Sequence, residues 1–327
     1  MEQRKLGGME VSAIGLGCMG MSEFYGATDD AQSLATLEAA FEAGVTLFDT
    51  ADTYGFGHNE ELLGRFLRGR QGRVRIASKF AIVREPGRYE RRIDNSPDYI
   101  RSACEASLKR LGVECIDLYY IHRLNLEQTP LEESLGALAE LKRAGKIGAI
   151  GLCEVSAATL LRAAALQTIA AVQSEYSLWT RDPEQGVLQA CADVGAALCA
   201  YSPLGRGFLT GKVAPESLHD AKDARSFNPR FAAENLASNE RIVAIVRAIA
   251  AEKSCTPAQL ALAWLLAQGP QVIPIPGTKR ISYLHDNLGA LQVRLSEAEL
   301  ARISAALPLG IAQGERYSVE GMQGLNA

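Results

Sequence analysis

Short apolar runs alternate with longer amphipathic segments along this chain. The apolar runs are almost continuous, which is typical of parallel strands that are buried on both faces. Eight of them are predicted to be strands, and they read VSAIGLG, VTLFD, VRIASK, IDLYYIH, IGAIGL, IAAVQSEY, AALCAYSPL and QVIPIPG. At least one segment with helical spacing of its apolar residues follows each run, beginning with residues 29–43 and 59–68.

The helical segments carry boundary signals of their own. Ser96 and Pro97 open SPDYIRSACEASLKRLG with a favourable cap and a proline in the first turn. Further helices are predicted from Pro130 to Arg143, in SAATLLRAAAL, at roughly 183–194, up to about residue 268, and in TKRISYLHDNLGAL. Eight strand–helix units in 327 residues predict an α/β fold, a TIM (β/α)8 barrel that spans residues 1–327 as a single domain.

Two further segments are predicted to lie outside the eight units. Residues 1–13, with KLGGMEV around a Gly-Gly turn, predict a β-hairpin that covers the bottom of the barrel. Extra helices and a long loop follow strand seven. The loop, at about 205–235, is a candidate lid over a site.

Composition narrows the classes of protein that fit this pattern. With 47% hydrophobic and 22% charged residues the chain can bury a large core, and its net charge of −4 argues against a broad nucleic-acid-binding surface. No apolar window is long enough to predict a membrane span, and the first residues lack a signal-peptide pattern. Seven scattered cysteines without a C-x-x-C pair predict a reduced, cytoplasmic protein, and four histidines without metal-ligand spacing predict no metal site. Whether it is a monomer or a homo-oligomer is left open.

Four polar residues stand at the ends of consecutive predicted strands. Asp49 ends strand two and Tyr54 follows it, Lys79 ends strand three, and His122 ends strand four. Because the carboxyl ends of barrel strands meet at one rim, these side chains are expected to converge. Each alone is more often a turn-forming or solvated residue, but together they favour a catalytic site.

These four groups form a chemically coherent set. A phenol has an unperturbed pKa of ~10, so Tyr54 is a weak proton donor unless a nearby charge lowers that pKa. The ammonium of Lys79 does so, and the Asp49 carboxylate holds the ammonium in place. We therefore predict that Tyr54 is a general acid and that His122 orients a carbonyl substrate.

A glycine pattern offers a rival interpretation. Gly15, Gly17 and Gly20 in GLGCMG match the G-x-G-x-x-G pattern of dinucleotide-binding folds, with Asp49 as a ribose ligand. That pattern requires a helix to open within the glycines, yet MSEFYGATDD intervenes. GLGCMG is better explained as the loop after the first barrel strand, lining a cofactor pocket.

The chain resembles the aldo-keto reductase superfamily. The resemblance runs from about Lys5 to Leu307, in FDTADTYGFGHNEELLG, IASKF, YYIHR, AVQSEYSL, YSPLGRGFLTGK and PIPGTKRISYLHDNLGAL. It implies an NADPH-dependent reductase of a small-molecule carbonyl substrate on a TIM barrel, with the roles given above for Asp49, Tyr54, Lys79 and His122. Some barrels of this superfamily sense the cofactor within larger assemblies, so a binding subunit with little turnover is the alternative.

The PGTKRISYLHDN segment suggests where an anion binds. It is predicted to place Lys279 and Arg280 in the first turn of a helix, where cations are unfavourable unless an anion lies there. A solvated basic turn explains the segment equally well. The resemblance implies cofactor contacts from Asp49, Gln173, Tyr201, Ser202, Pro203, Leu204, Gly205, Gly207, Lys212, Arg225, Gly277, Thr278, Lys279, Asp286 and Asn287, with Tyr201 stacked on the nicotinamide.

Two features bear on specificity. Relatives usually carry serine where this chain has Cys153, which puts one contact to the nicotinamide carboxamide in doubt because a thiol is a weaker hydrogen-bond partner. Phe24, Tyr25, Trp179 and Phe208 are candidates for the wall of the substrate pocket, with packing inside the fold as the alternative for each.

Overall fold

A computed structural model describes residues 1–85, 91–213 and 218–326 of the chain. In chain order the strands are β1 (Gln3–Leu6), β2 (Met9–Ser12), β3 (Leu16–Gly17), β4 (Leu47–Asp49), β5 (Arg75–Phe80), β6 (Ile82–Arg84), β7 (Arg91–Ile93), β8 (Ile116–Ile121), β9 (Ile147–Cys153), β10 (Ile169–Glu175), β11 (Ala197–Tyr201) and β12 (Val272–Pro274). The strands β3, β4, β5, β8, β9, β10, β11 and β12 form one parallel sheet whose order follows the chain.

Two glycines bring the ends of this sheet together. The Gly15 N–H donates to the Pro274 carbonyl at 3.0 Å, and Gly17 forms a parallel bridge with Gly277. A Cβ atom on Gly17 would lie only 2.8 Å from the carbonyl oxygen of Ile275. Strand β3 can therefore approach the last strand closely enough to close the barrel, and the predicted (β/α)8 fold is confirmed.

Helices surround the sheet, one or more after each barrel strand. They are α1 (Asp30–Glu42), α2 (His58–Leu67), α3 (Pro97–Leu111), α4 (Leu131–Arg143), α5 (Ala157–Leu166), α6 (Val187–Val194), α7 (Ala233–Glu252), α8 (Pro257–Leu266), α9 (Ile281–Leu288) and α10 (Glu297–Ala306). The Ser96 side chain caps α3 by accepting the Tyr99 N–H, as the sequence predicts. The single helix predicted at 183–194 is interrupted, because Gly186 adopts a φ of 138° between a 3-10 turn and α6.

The predicted N-terminal hairpin is confirmed. Strands β1 and β2 pair antiparallel, and Leu6 and Val11 pack against inward-facing side chains of the barrel such as Leu118 and Ala149. The hairpin thus extends the apolar interior of the barrel. The first predicted strand, VSAIGLG, is wrong in part because its Val11 belongs to β2, and only Leu16–Gly17 enters the barrel sheet.

Several elements near the barrel mouth were not predicted. Strands β6 and β7 form a hairpin after β5, and α10 precedes a tail of residues 308–326. The predicted lid contains the 3-10 turns Phe208–Thr210, Ala224–Phe227 and Pro229–Phe231, while its residues 214–217 lie outside the described residues. Across the described ranges, no helix is both long and apolar enough to cross a membrane.

Candidate active site

The four predicted catalytic residues meet at the carboxyl end of the barrel. Asp49 is the last residue of β4, Lys79 lies near the end of β5, and His122 directly follows β8. Tyr54 opens a 3-10 turn between β4 and α2. All four side chains are buried, and Lys79 has no solvent exposure at all. Parallel pairing of neighbouring strands therefore places an acid, a phenol, an ammonium and an imidazole together.

Lys79 is the centre of the hydrogen-bond network. Its Nζ donates to Asp49 Oδ1 at 2.5 Å, to the Thr50 carbonyl at 2.7 Å and to the Tyr54 hydroxyl oxygen at 3.1 Å. Gln173 Nε2 donates to the other carboxylate oxygen of Asp49 at 2.7 Å. The three ammonium hydrogens are thus all used, and because the Tyr54 oxygen accepts one of them, its own hydrogen is available to a ligand.

Burial and charge act on Tyr54 in opposite directions. Burial raises its pKa, the Lys79 ammonium lowers it, and the Asp49 carboxylate raises it. The influence of Lys79 has the predicted sign, but burial outweighs it and the pKa of Tyr54 lies above its usual value. Tyr54 therefore keeps its proton over the physiological pH range. Burial is the largest single influence on the pKa of Lys79 and lowers it, but the Asp49 carboxylate and the other groups around the ammonium together hold that pKa above its usual value.

His122 lies beside Tyr54 as a neutral imidazole. The two rings meet edge to face with their centroids 5.9 Å apart. Burial lowers the pKa of His122 far below its usual value, and the charges of Lys79 and Arg123 lower it further. A neutral ring carries one N–H, so His122 can donate a hydrogen bond to an oxygen while it stays uncharged.

Asp52 lies in the turn between β4 and Tyr54 and has a buried carboxyl oxygen. Its Oδ1 atom is buried and has no hydrogen-bond partner within the described part of the chain. Burial, followed by the charge of Glu60, raises the pKa of Asp52 to about 8. Its backbone N–H donates to the Lys79 carbonyl at 3.0 Å, so the turn that carries Tyr54 is tied to β5.

A cavity of about 900 Å³ extends from Tyr54 and His122 along the barrel mouth. Its volume is typical of a site for a ligand of cofactor size. The predicted cofactor residues that line it are Asp49, Gln173, Tyr201, Ser202, Pro203, Leu204, Gly207, Lys212, Arg225, Gly277, Thr278, Lys279, Asp286 and Asn287. Gly205 does not, because it packs against the buried Trp179 ring.

The basic end of this cavity differs in detail from the prediction. Helix α9 begins at Ile281, so Lys279 and Arg280 precede its first turn, and the Thr278 hydroxyl accepts the Arg280 N–H at 3.0 Å. Lys279 Nζ donates to the carbonyls of residues 25 and 27 at 2.8 and 2.7 Å. In the described parts of the chain, no carboxylate lies within 4.0 Å of the charged groups of Lys212, Lys279 or Arg280. Burial lowers the pKa of Lys279, which an anionic ligand would oppose.

The C-terminal tail after Leu307 contributes Tyr317 to the cavity wall, a residue that the sequence did not single out. The Tyr317 hydroxyl lies 2.8 Å from that of Tyr201, and Arg316 pairs with Glu154 at 3.1 Å. No periodic pattern leads into this segment, so its position depends on these long-range contacts. Arg123 also lines the cavity. Unlike Tyr317, it could have been recognised from the sequence, because it directly follows His122 in YYIHR.

The candidate wall residues divide into two pairs. Phe24 and Tyr25 line the cavity. Trp179 and Phe208 instead stack on each other inside the fold, with ring centroids 4.8 Å apart. Cys153 does line the cavity, and burial raises the pKa of its thiol, so a neutral thiol faces this space. Over the described ranges, no cluster of three histidine, cysteine or acidic residues could hold a metal ion.

Comparison with known proteins identifies the family. Residues 13–308 match the model of the aldo/keto reductase family. An aldo-keto reductase of Schizosaccharomyces pombe, whose name specifies NADP(+), is 45% identical over 96% of this chain and 94% of its own length. A glycerol dehydrogenase structure from Gluconobacter oxydans superposes with a TM-score of 0.84 at 29% identity, covering 93% of this chain and 94% of the other. An aldo-keto reductase of Klebsiella pneumoniae solved with NADPH gives 0.74 at 27% identity, covering 98% of this chain and 100% of the other. The chain therefore belongs to the aldo/keto reductase family, and the prediction of an oxidoreductase of this family is confirmed.

Proposed function

We propose that this protein reduces an aldehyde or ketone to the alcohol with NADPH, and that Tyr54 is the general acid. The observation that carries the proposal is the Lys79 network, in which the phenol oxygen accepts a hydrogen bond at 3.1 Å from an ammonium that Asp49 holds at 2.5 Å. This arrangement leaves the phenol hydrogen directed to a ligand. It also places a positive charge where it stabilises the phenolate that remains after proton transfer.

The residues at the two ends of the cavity fit the cofactor. Lys212, Lys279 and Arg280 are cations without a carboxylate partner in the described part of the chain, and they lie at one end together. They would hold the phosphate groups, which favours NADPH over NADH. Tyr201, Gln173 and Asp49 line the cavity near Tyr54 and His122, where they would hold the nicotinamide. When bound, NADPH supplies the hydride.

The chain's own groups then act on the carbonyl oxygen. The His122 ring donates its N–H to that oxygen and orients it toward Tyr54. Tyr54 transfers its proton to the oxygen as negative charge develops there, and Lys79 stabilises the phenolate through the bond it already makes. Asp49 keeps Lys79 charged, so it supports the step without touching the substrate.

The test removes the proton donor alone. Tyr54→Phe should lower kcat for aldehyde reduction by about 10²-fold or more while leaving NADPH affinity nearly unchanged. Tyr99→Phe is the matched control, since it deletes a hydroxyl from α3 outside the cavity. NADPH absorbance gives the rates across a panel of aldehydes, quinones, ketosteroids and sugars.

Two results would overturn the proposal in different ways. Wild-type turnover in Tyr54→Phe would remove Tyr54 from the mechanism. Tight NADPH binding with negligible oxidation of NADPH by every carbonyl compound in the panel would instead identify a cofactor-sensing subunit.

A further inference from the structure

Arg123 is a buried cation that forms no ion pair within the described part of the chain. Glu154 acts on it only from a longer distance and already pairs with Arg316. Its side chain is 5% exposed and lines the cavity immediately after His122. Nη1 donates to the His122 carbonyl at 2.7 Å, while Nε is buried without a partner in the described ranges. Nowhere among the described residues does a carboxylate approach the guanidinium within 4.0 Å. A buried guanidinium in this state is costly, which indicates that an anion binds there.

Two other arginines that line the same cavity, both less exposed than Arg280, form ion pairs with buried carboxylates. Arg206 pairs with Glu175 at 2.7 Å, and Arg225 pairs with Asp223 at 2.6 Å. Both pairs are largely buried, so the fold provides carboxylates where it buries guanidinium groups for structural reasons. Arg123 therefore differs from Arg206 and Arg225 in having no carboxylate beside its guanidinium among the described residues.

The charge balance under the barrel mouth leads to the same conclusion. The buried side chains there are the arginines Arg123, Arg206, Arg230 and Arg316 and the glutamates Glu154 and Glu175. Glu175 pairs with two of the arginines and Glu154 with one, and the more exposed Asp182 lies 4.0 Å from Arg316. Four positive and three negative charges leave an excess of one positive charge. Arg123 is the arginine that lies outside the pairs and faces the cavity.

We propose that Arg123 binds a carboxylate group of the substrate, so that the protein prefers carbonyl compounds that also carry an acid. This inference rests on the proposed reduction, because it places the carbonyl between Tyr54 and His122. The Arg123 guanidinium lies 2.7 Å from the His122 carbonyl oxygen, and Arg123 lines the same cavity as Tyr54 and His122. Arginine suits this task because its planar group donates several parallel hydrogen bonds to a carboxylate.

The nearest competing explanation is a contact to the nicotinamide carboxamide. Arg123 and Cys153 lie near each other on the wall of the cavity, and Cys153 occupies the position for which the resemblance implies that contact. A neutral carboxamide would use a donor of Arg123 but would leave its charge uncompensated. The two explanations differ in whether the effect of Arg123 depends on the charge of the substrate.

A matched pair of substrates tests this dependence. 4-Formylbenzoate and its methyl ester present the same aromatic aldehyde with and without a carboxylate. The wild type should reduce the acid with a kcat/KM about 10- to 100-fold above that of the ester. Arg123→Met should remove this ratio by lowering the value for the acid, and Arg123→Lys should keep part of it. The control Arg162→Met, which removes an exposed cation paired with Glu132, should leave the ratio as it is.

A binding measurement separates failure of this inference from failure of the proposed reaction. Calorimetry with benzoate and benzamide, in the presence of NADP⁺, should show a benzoate preference that Arg123→Met abolishes, whether or not turnover occurs. Equal kcat/KM for acid and ester in the wild type would overturn the inference. An equal loss for both substrates in Arg123→Met, together with weaker NADPH binding, would assign Arg123 to the cofactor instead.

Discussion

Lys79→Met tests whether one buried ion pair supports both the stability and the chemistry of the site. The substitution keeps most of the side-chain stem but removes an ammonium with no solvent exposure and its three hydrogen bonds. Among the described residues, Gln173 is then the remaining hydrogen-bond donor to the buried Asp49 carboxylate. Breaking a buried pair from one side costs about 3–5 kcal/mol, because the remaining charge has no compensation.

The double variant isolates the interaction between the two charges. Asp49→Asn alone leaves the Lys79 ammonium without its carboxylate, so it should also destabilise the fold. With both substitutions no uncompensated charge remains, and the loss in the free energy of unfolding should fall short of the sum of the single losses by about 2–3 kcal/mol. Lys146→Met is the matched control, because its pair with Glu105 is exposed and should contribute about 1 kcal/mol or less.

Urea unfolding followed by tryptophan fluorescence measures these differences. Trp179 and Trp264 are both buried, so their emission reports loss of the core. A loss below about 1 kcal/mol for Lys79→Met, or strictly additive losses in the double variant, would refute the argument from burial. The same variant should reduce carbonyl compounds about 10²-fold more slowly, because the phenolate of Tyr54 loses its stabilising charge.

Three further predictions address other parts of the structure. Asp52 binds its proton up to about pH 8 in the folded state, whereas an unfolded aspartate releases it near ~3.9, so its contribution to stability falls as pH rises through this window. Asp52→Asn should therefore raise Tm more at about pH 8 than at about pH 5, and an equal rise at both would contradict this. Gly17→Ala should cost about 1–3 kcal/mol because its Cβ would lie 2.8 Å from the Ile275 carbonyl, whereas Gly136→Ala, with open space around it, should not destabilise the fold. Lys279→Met should lower kcat/KM for NADPH about 10-fold relative to NADH, and a parallel fall for both cofactors would exclude a contact to the 2′-phosphate.

Much of the fold could be predicted because barrel strands are buried on both faces. A strand such as Ile116–Ile121 is apolar or aromatic at every position except the half-buried Asp117, so it can be recognised without any partner. The same geometry explains why the catalytic candidates could be predicted. Lys79 and His122 are separated along the chain, but the ends of neighbouring parallel strands lie side by side.

Elements whose stability comes from distant partners could not be predicted in this way. The β6–β7 hairpin pairs residues such as Val83 and Arg92, a short and polar combination that does not stand out as a strand. The glycines of GLGCMG matched a phosphate-binding pattern, yet Gly17 is required by close contact with the last barrel strand. Glycine can be required either for a phosphate-binding turn or for close contact between two strands, and only the position of the opposing strand distinguishes the two.

The charge of the site could not be predicted from the charge of the chain. Acidic residues outnumber basic ones over the whole chain, and the resulting formal net charge of −4 describes the electrostatic field far from the protein. At the barrel mouth the local balance depends on pairs such as Arg316 with Glu154, which join residues that are 162 positions apart. Arg123 follows His122 in the sequence, but its lack of a carboxylate partner among the described residues becomes apparent only when the nearby carboxylates have been assigned to other cations. The residues at the strand ends therefore indicate the type of reaction, whereas the proposed preference for a substrate that carries a carboxylate depends on the absence of an ion pair at Arg123.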